Sequence, residues 1–456
     1  MSDLKKILDT QYEFFHAGKT RDISFRVDQL NTLKKLITEN EEQLIDAVHK
    51  DFKKSAFETY GTEIGLIITD INFAIKNIAN WTKPKSVSTS LVNFPSKNYV
   101  ITEPYGNALI ISPWNYPILL TLQPLVGAIA AGNTAIIKPS ELTPHTSQLL
   151  AELFKAYFYE QYIAVVLGGA DVADQLVRLK FDYIFFTGST RVGKIIMKTA
   201  ADNLTAMTLE LGGKSPCIVD KTANLEISAR RIAWGKLVNA GQTCVAPDYV
   251  LIDAGVKDEF IEYLKQAITS FYGDNPKESP DFPRIINEAH FDRLTGYLSD
   301  GKTVIGGHSD ASESYIEPTV LDEISWDDAI MQEEIFGPIL PILTYSSIEE
   351  CIAGIKKYPN PLALYVFTAN EDFEQQIFDN ISFGGGAVND TIAQLGNHHL
   401  SFGGVGASGF GSYHGKASFD SFSHQKSIMK KPFWPDVPIR YAPYEGKLGL
   451  VKKILK

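Results

Sequence analysis

The chain has 456 residues, of which 44% are hydrophobic and 21% charged, and a formal net charge of -11. That length calls for two or three lobes rather than one small core, and that balance excludes a disordered or fibrous chain. The acidic surplus argues against a protein that tracks nucleic-acid phosphates, which needs clustered Lys and Arg.

Taken in chain order, the first eighty residues carry helical periodicity; between Val27 and Lys50, for example, Leu30, Leu33, Leu36 and Ile37 recur on one face. Over residues 86–103 the texture changes to Ser, Thr, Val and Pro, which predicts extended structure projecting from the helical regions. Pro117 to Ile137 is almost wholly apolar and about the length of a membrane span. Gln123, Pro124 and Asn133 interrupt it, however, and helix-like spacing gives way at Gly132-Asn133 to a β-branched run. The prediction is a buried helix, a turn and a buried strand, with no integral membrane span.

Short apolar runs at Ala108–Ile111, Thr134–Ile137, Ile163–Leu167 and Tyr183–Phe186 alternate with helical stretches, the pattern of a parallel sheet covered by helices. A second cycle follows Gly212-Gly213, with a strand at Cys217–Val219, a helix at Leu225–Val238, a strand at Tyr249–Ile252 and a helix at Asp258–Ser270. The fold class is therefore α/β, in two lobes with a cleft between them. Phe383 to Gly415 holds too many glycines for regular helices and is expected to lie across a surface or an interface.

Two segments carry chemistry. Glu210, in Thr208-Leu209-Glu210-Leu211-Gly212-Gly213-Lys214, is a candidate base, and Cys244, in Gly241-Gln242-Thr243-Cys244, a candidate nucleophile. A thiolate adds to a carbonyl carbon, and a carboxylate can later take a proton from the water that releases the acyl group. Glu210 follows an apolar stretch in which burial would raise its pKa toward neutrality; pairing with Lys214 is the competing reading, and on these residues alone the two are even. Cys217 and Cys351 read as buried small hydrophobes. Three scattered cysteines form no disulfide framework, so a reducing, cytoplasmic setting is expected.

A literal G-x-G-x-x-G occurs once, at Gly404 to Gly409, but no helix pattern follows it and it reads as chance in a glycine-rich loop. Gly188-Ser189-Thr190-Arg191-Val192-Gly193 has the better context, directly between a strand and a helix, although Thr190 in place of a middle glycine predicts a looser seating of any diphosphate. Lys138 and Glu141 emerge at the end of a predicted strand and suit ribose hydroxyls; a solvated loop with a salt bridge is the equal alternative. No His or Cys spacing suggests a metal site.

With Pro113-Trp114-Asn115-Tyr116-Pro117, Lys138-Pro139-Ser140-Glu141, Gly188-Ser189-Thr190, the Glu210 and Cys244 segments and Glu333-Glu334-Ile335-Phe336-Gly337-Pro338 in the same order, the chain resembles the aldehyde dehydrogenase superfamily from about residue 10 to about residue 430. Pro361 to Phe367 and Phe402 to Gly409 are similar to its class 3 branch, which acts on fatty and aromatic aldehydes. The resemblance implies a Rossmann-type cofactor domain (1–85 and 104–211), an α/β catalytic domain (212–390), a small β oligomerisation domain (86–103 and 391–430) and a C-terminal tail (431–456). It implies NAD or NADP as cofactor, a small-molecule aldehyde as substrate and a homodimer.

Residue by residue, the same resemblance makes Cys244 the nucleophile, Glu210 the water-activating base and Asn115 the oxyanion donor. It assigns Lys138, Glu141, Gly188, Ser189, Thr190, Gly193, Glu334 and Phe336 to cofactor binding, and Tyr60, Tyr116 and Trp234 to the substrate pocket. An enzyme that passes its thioester to coenzyme A, and a noncatalytic protein retaining the fold, are the alternatives. The tail from Lys447 to Lys456 is too short to span a bilayer; as a basic amphipathic segment it could touch a membrane surface, although a packed or frayed terminus is the plainer expectation.

Overall fold

A computed structural model describes residues 2–455. Its organising element is a six-stranded sheet in the order Gly409–Phe410, Ala206–Glu210, Tyr183–Thr187, Asn107–Ile111, Thr134–Lys138 and Ile163–Val165. Five strands run parallel, and only the short Gly409–Phe410 edge is antiparallel. Alternate side chains leave opposite faces. Ala108, Ile110, Ile137 and Phe185 pack with the helices Ile23–Glu39, Glu41–Phe52 and Gly65–Trp81, while Leu109, Ile111, Ile136 and Ile184 pack with Leu8 of the first helix and with Leu176 and Ile196 of later ones. Burial on both faces is what a parallel sheet requires, and it explains why these strands are continuous apolar runs. Ile110→Ala, in the middle of the sheet and fully buried, is expected to cost about 2–5 kcal/mol, measured as a lowered urea midpoint.

Pro117 to Ile137 folds as predicted. The helix Leu119–Ala131 tolerates Pro124, ends on left-handed Gly132, and passes through Asn133 into the strand Thr134–Lys138. The helical stretch from Val27 to Lys50 is instead two helices, Ile23–Glu39 and Glu41–Phe52. Asn40 breaks them by turning its amide onto Leu36 O at 2.8 Å, a side-chain to backbone bond that competes with helical pairing.

The second sheet has the order Lys302–Ile305, Thr319–Asp322, Ile339–Tyr345, Tyr249–Asp253, Pro216–Val219, Ala363–Phe367 and Gly385–Val388, parallel except at its first strand. A third, antiparallel sheet joins Lys85–Val87, Lys97–Pro104 and Ser423–Lys430. The glycine-rich stretch from Phe383 to Gly415 does more than cross a surface: Gly385–Val388 closes one edge of the second sheet and Gly409–Phe410 one edge of the first. Within residues 391–430, therefore, only Ser423–Lys430 belongs to the third sheet. The Gly404–Gly409 motif starts no α-helix, only the 3-10 turn Gly406–Ser408. The tail ends in the helix Leu448–Ile454, and no helix of the described residues is long and apolar enough to cross a membrane.

Candidate active site

Parallel sheets bind ligands outside the carboxyl ends of their strands, where the strand order reverses. In the first sheet that point lies between Asn107–Ile111 and Tyr183–Thr187, and the loops leaving those ends carry Asn115 and Gly188. Glu210 is the last residue of the neighbouring strand. It is held from two sides: its backbone O accepts from Gly188 N at 3.0 Å, and it pairs in register with Gly409. Its side chain is 1% exposed, and neither carboxylate oxygen has a hydrogen-bond partner. Burial pushes the carboxyl well above the usual carboxylate range. Lys214 does not pair with it. That ammonium binds Asp248 at 2.6 Å and the carbonyls of Ile330 and Glu333, which removes the competing reading of Glu210.

Cys244 lies in the loop between the helix Leu225–Leu237 and the strand Tyr249–Asp253. The chain leaves the helix through three consecutive left-handed residues, Asn239, Ala240 and Gly241. A Cβ at position 241 would collide with the backbone of Gly337, so only glycine allows this approach. The Gln242 side chain then pins the turn, donating to Asn239 O and Arg284 O and accepting from Ile286 N. Burial, then the charges of Glu334 and Glu210, push the Cys244 thiol up; its own N–H and that of Val245 act in the opposite direction.

Asn115 is 2% exposed and donates from its side-chain amide to Gln242 O at 3.0 Å. An amide carries two N–H donors, so a second remains for a ligand. Tyr116 OH and Thr243 Oγ1 are 2.7 Å apart, a second tie between the two loops. Cys244, Glu210, Tyr116 and Trp234 line one open cavity of about 1020 Å³, together with Leu119, Val238, Ile392 and Phe402. Tyr60 does not line it and is 44% exposed. Residues Tyr60–Ile64 form a turn of π-helix, whose wider winding rotates side chains off the α-helical face. The tyrosine ring lies over Gly65, and Gly61 and Thr62 face the cavity instead.

Lys138 ends its strand and binds Glu141 at 2.6 Å. Ser189 caps the helix Thr190–Ala200, accepting from Val192 N, while Thr190 Oγ1 donates to Ala407 O at 3.2 Å. Cβ atoms at Gly188 and Gly193 would stand 2.6 Å from the Phe186 ring and 2.7 Å from Leu211, so both glycines let this helix approach the strands. Glu334 packs so closely on Gly212 that a Cβ there would collide with the carboxylate; burial, then the charge of Asp248, push it up to about 8. Phe336 meets Trp114 edge to face at 5.4 Å. One ammonium, two carboxylates and a helix N-terminus over parallel strand ends suit the hydroxyls and diphosphate of a dinucleotide. Glu333, by contrast, points to Tyr297 and Arg293. No cluster of metal-ligating side chains occurs among the described residues.

Sequence reasoning missed Lys54, Glu58, Glu63, Lys236 and Asn239. Lys236 is fully buried with no partner for its ammonium, and burial lowers it to about 8. Gly241 was the one local sign of a special turn near Asn239; near Glu58 and Glu63 the resemblance pointed to Tyr60 but to neither carboxylate.

Residues 1–428 match the model of the aldehyde dehydrogenase family. The chain is 51% identical to the 4,4'-diaponeurosporen-aldehyde dehydrogenase of Staphylococcus aureus, over 97% of each chain. It is 43% identical to the "aldehyde dehydrogenase, dimeric NADP-preferring" of Canis lupus familiaris, over 98% of this chain and 99% of that one. A solved structure described as the substrate-bound state of Staphylococcus aureus AldH superposes with a TM-score of 0.97 at 50% identity, covering 99% of both chains. With that match, the chain belongs to the aldehyde dehydrogenase family and is an NAD(P)-dependent enzyme that oxidises aldehydes to carboxylic acids.

Proposed function

We propose that the enzyme oxidises apolar aldehydes, medium- to long-chain aliphatic or aromatic, through a covalent adduct on Cys244. The observation that carries this reading is one apolar cavity holding both a cysteine and a buried carboxylate with no partner. Cys244 Sγ, once deprotonated, adds to the aldehyde carbon and forms a thiohemiacetal. Its oxygen is held by the second N–H of Asn115 and the backbone N–H of Cys244. An oxidised nicotinamide, when bound, would supply the hydride acceptor needed to take the adduct on Cys244 to the thioester level. Glu210 then removes a proton from the water that attacks the acyl carbon, and Cys244 leaves as the carboxylic acid forms. Lys138 and Glu141 would hold the ribose hydroxyls of that cofactor, the segment Gly188 to Gly193 its diphosphate, and Glu334 with Phe336 its nicotinamide end.

The assay is reduction of NAD or NADP by the purified enzyme with a panel of aliphatic and aromatic aldehydes, with carboxylic acid measured beside it. Stoichiometric acid supports the reading. Turnover that needs added coenzyme A supports the acylating alternative, and silence across the panel from folded enzyme supports a noncatalytic role. Asn115→Ala removes one oxyanion donor and is expected to lower kcat by about 10²–10³ with little change in the KM for coenzyme.

The relative described as dimeric supports a homodimer, for which sedimentation velocity is the test. We further place the enzyme in the cytoplasm, a compartment that suits its three unpaired cysteines. We assign cofactor binding to 1–85 and 104–211, catalysis to 212–390 and oligomerisation to 86–103 with the later strand Ser423–Lys430.

A further inference from the structure

The nucleophile loop and the oxyanion loop are tied together by a polar cluster that reaches back to the first hundred residues. Lys54 and Glu63 form a fully buried ion pair at 2.8 Å, and Lys54 Nζ also stands 4.0 Å from the centre of the Tyr116 ring. The other oxygen of Glu63 accepts from Ile118 N at 2.8 Å and Leu119 N at 3.2 Å. Glu63 thereby anchors the segment that directly follows Asn115. Glu58 accepts from Asn239 N at 2.7 Å, which anchors the segment that leads to Cys244.

Asn239 joins the two. Its side-chain amide donates to Asn115 O at 2.7 Å and to Gln242 O at 3.1 Å, and Gln242 O also accepts from the Asn115 amide. Asn239 does this from a left-handed backbone with φ 54, a conformation that asparagine tolerates better than most residues. Donors to a developing oxyanion act only when held within about 0.5 Å of the productive geometry.

We infer that Glu58 and Asn239 are positioning residues that set the spacing between the Asn115 amide and the backbone N–H of Cys244. The inference rests on the oxyanion roles proposed for those two donors. Neither residue lines the cavity, so each acts through its partners.

The test compares Asn239→Gly, Glu58→Leu and Glu58→Gln with wild type. Asn239→Gly keeps the left-handed backbone and deletes the bridge; Glu58→Leu deletes the acceptor, and Glu58→Gln restores one. The first two are expected to lower kcat at least about tenfold while the KM for coenzyme stays within about twofold, and Glu58→Gln to recover most of kcat. Amide hydrogen exchange, read by mass spectrometry on the full chain, is expected to quicken over residues 113–120 and 238–246 in the first two variants and not in the third. An unchanged kcat, unchanged exchange in either segment, or a Glu58→Gln variant as slow as Glu58→Leu overturns the inference. So does a fall in kcat no larger than the fall in folded fraction. Wild type that reduces no coenzyme would sink the oxidation reading instead, and the exchange data would still decide whether the bridge holds the loops.

Discussion

Glu210→Gln is expected to leave an enzyme that reacts once and stops. The substitution keeps the shape of the side chain and removes the base, so thioester formation continues and its hydrolysis fails. Mixed with aldehyde and coenzyme, the variant should release about one equivalent of reduced nicotinamide per site, then turn over about 10²–10⁴-fold more slowly than wild type. Peptide mass mapping after digestion should find the acyl group on the peptide containing Cys244. Repeated turnover at the wild-type rate would remove Glu210 from the mechanism. The pH dependence has a definite sign. Burial raises the carboxyl, and the base works as carboxylate, so hydrolysis by wild type should accelerate as pH rises through that raised value, and the variant should lose this limb. The same shift makes the native state hold its proton more tightly than the unfolded chain does. Glu210 therefore contributes stability at pH values below the ordinary carboxylate range, and that stability is lost as pH rises through the native value. At neutral pH the variant should be at least as stable as wild type, so lost turnover cannot be ascribed to unfolding.

Cys244→Ala should abolish both phases. No burst and no acid are expected, with kcat reduced on the scale of about 10⁶ that removal of a covalent nucleophile produces. Cys244 is a partly exposed residue on the cavity wall, and alanine removes only its sulfur, so the variant should fold and still bind coenzyme, measured by quenching of tryptophan fluorescence. A burst from this variant would transfer the role of nucleophile to another group. Cys217 and Cys351 are fully buried in the second sheet's core, which leaves neither of them able to take it.

The contrast between what could and could not be read from the chain has a physical basis. Around Glu210 and Cys244 the chain carries local signals, apolar residues for burial and Gly241 for a turn, but Lys214 left the reading of Glu210 even on the residues alone, and the role of Asn115 came from the resemblance. The parallel sheets were legible because burial on both faces leaves uninterrupted apolar runs. The break at Asn40 was not, since one apolar stripe continues across both helices. Tyr60 came to the pocket by resemblance alone; across the π-helical turn Tyr60–Ile64, Gly61 and Thr62 line the cavity instead. Glu58 and Asn239 were invisible for a different reason: they are 181 residues apart in sequence, and no local pattern encodes such a bond.

The strand Lys97–Pro104 pairs along its whole length with Ser423–Lys430, and Glu210 pairs with Gly409. During synthesis at about 5–20 residues per second, the earlier strand waits roughly 15 to 65 s after leaving the ribosome before its partner exists. The strand that ends in Glu210 likewise keeps an open edge until Gly409–Phe410 has been made. Until those later strands are made, two strand edges stay unpaired and open to chaperones and proteases.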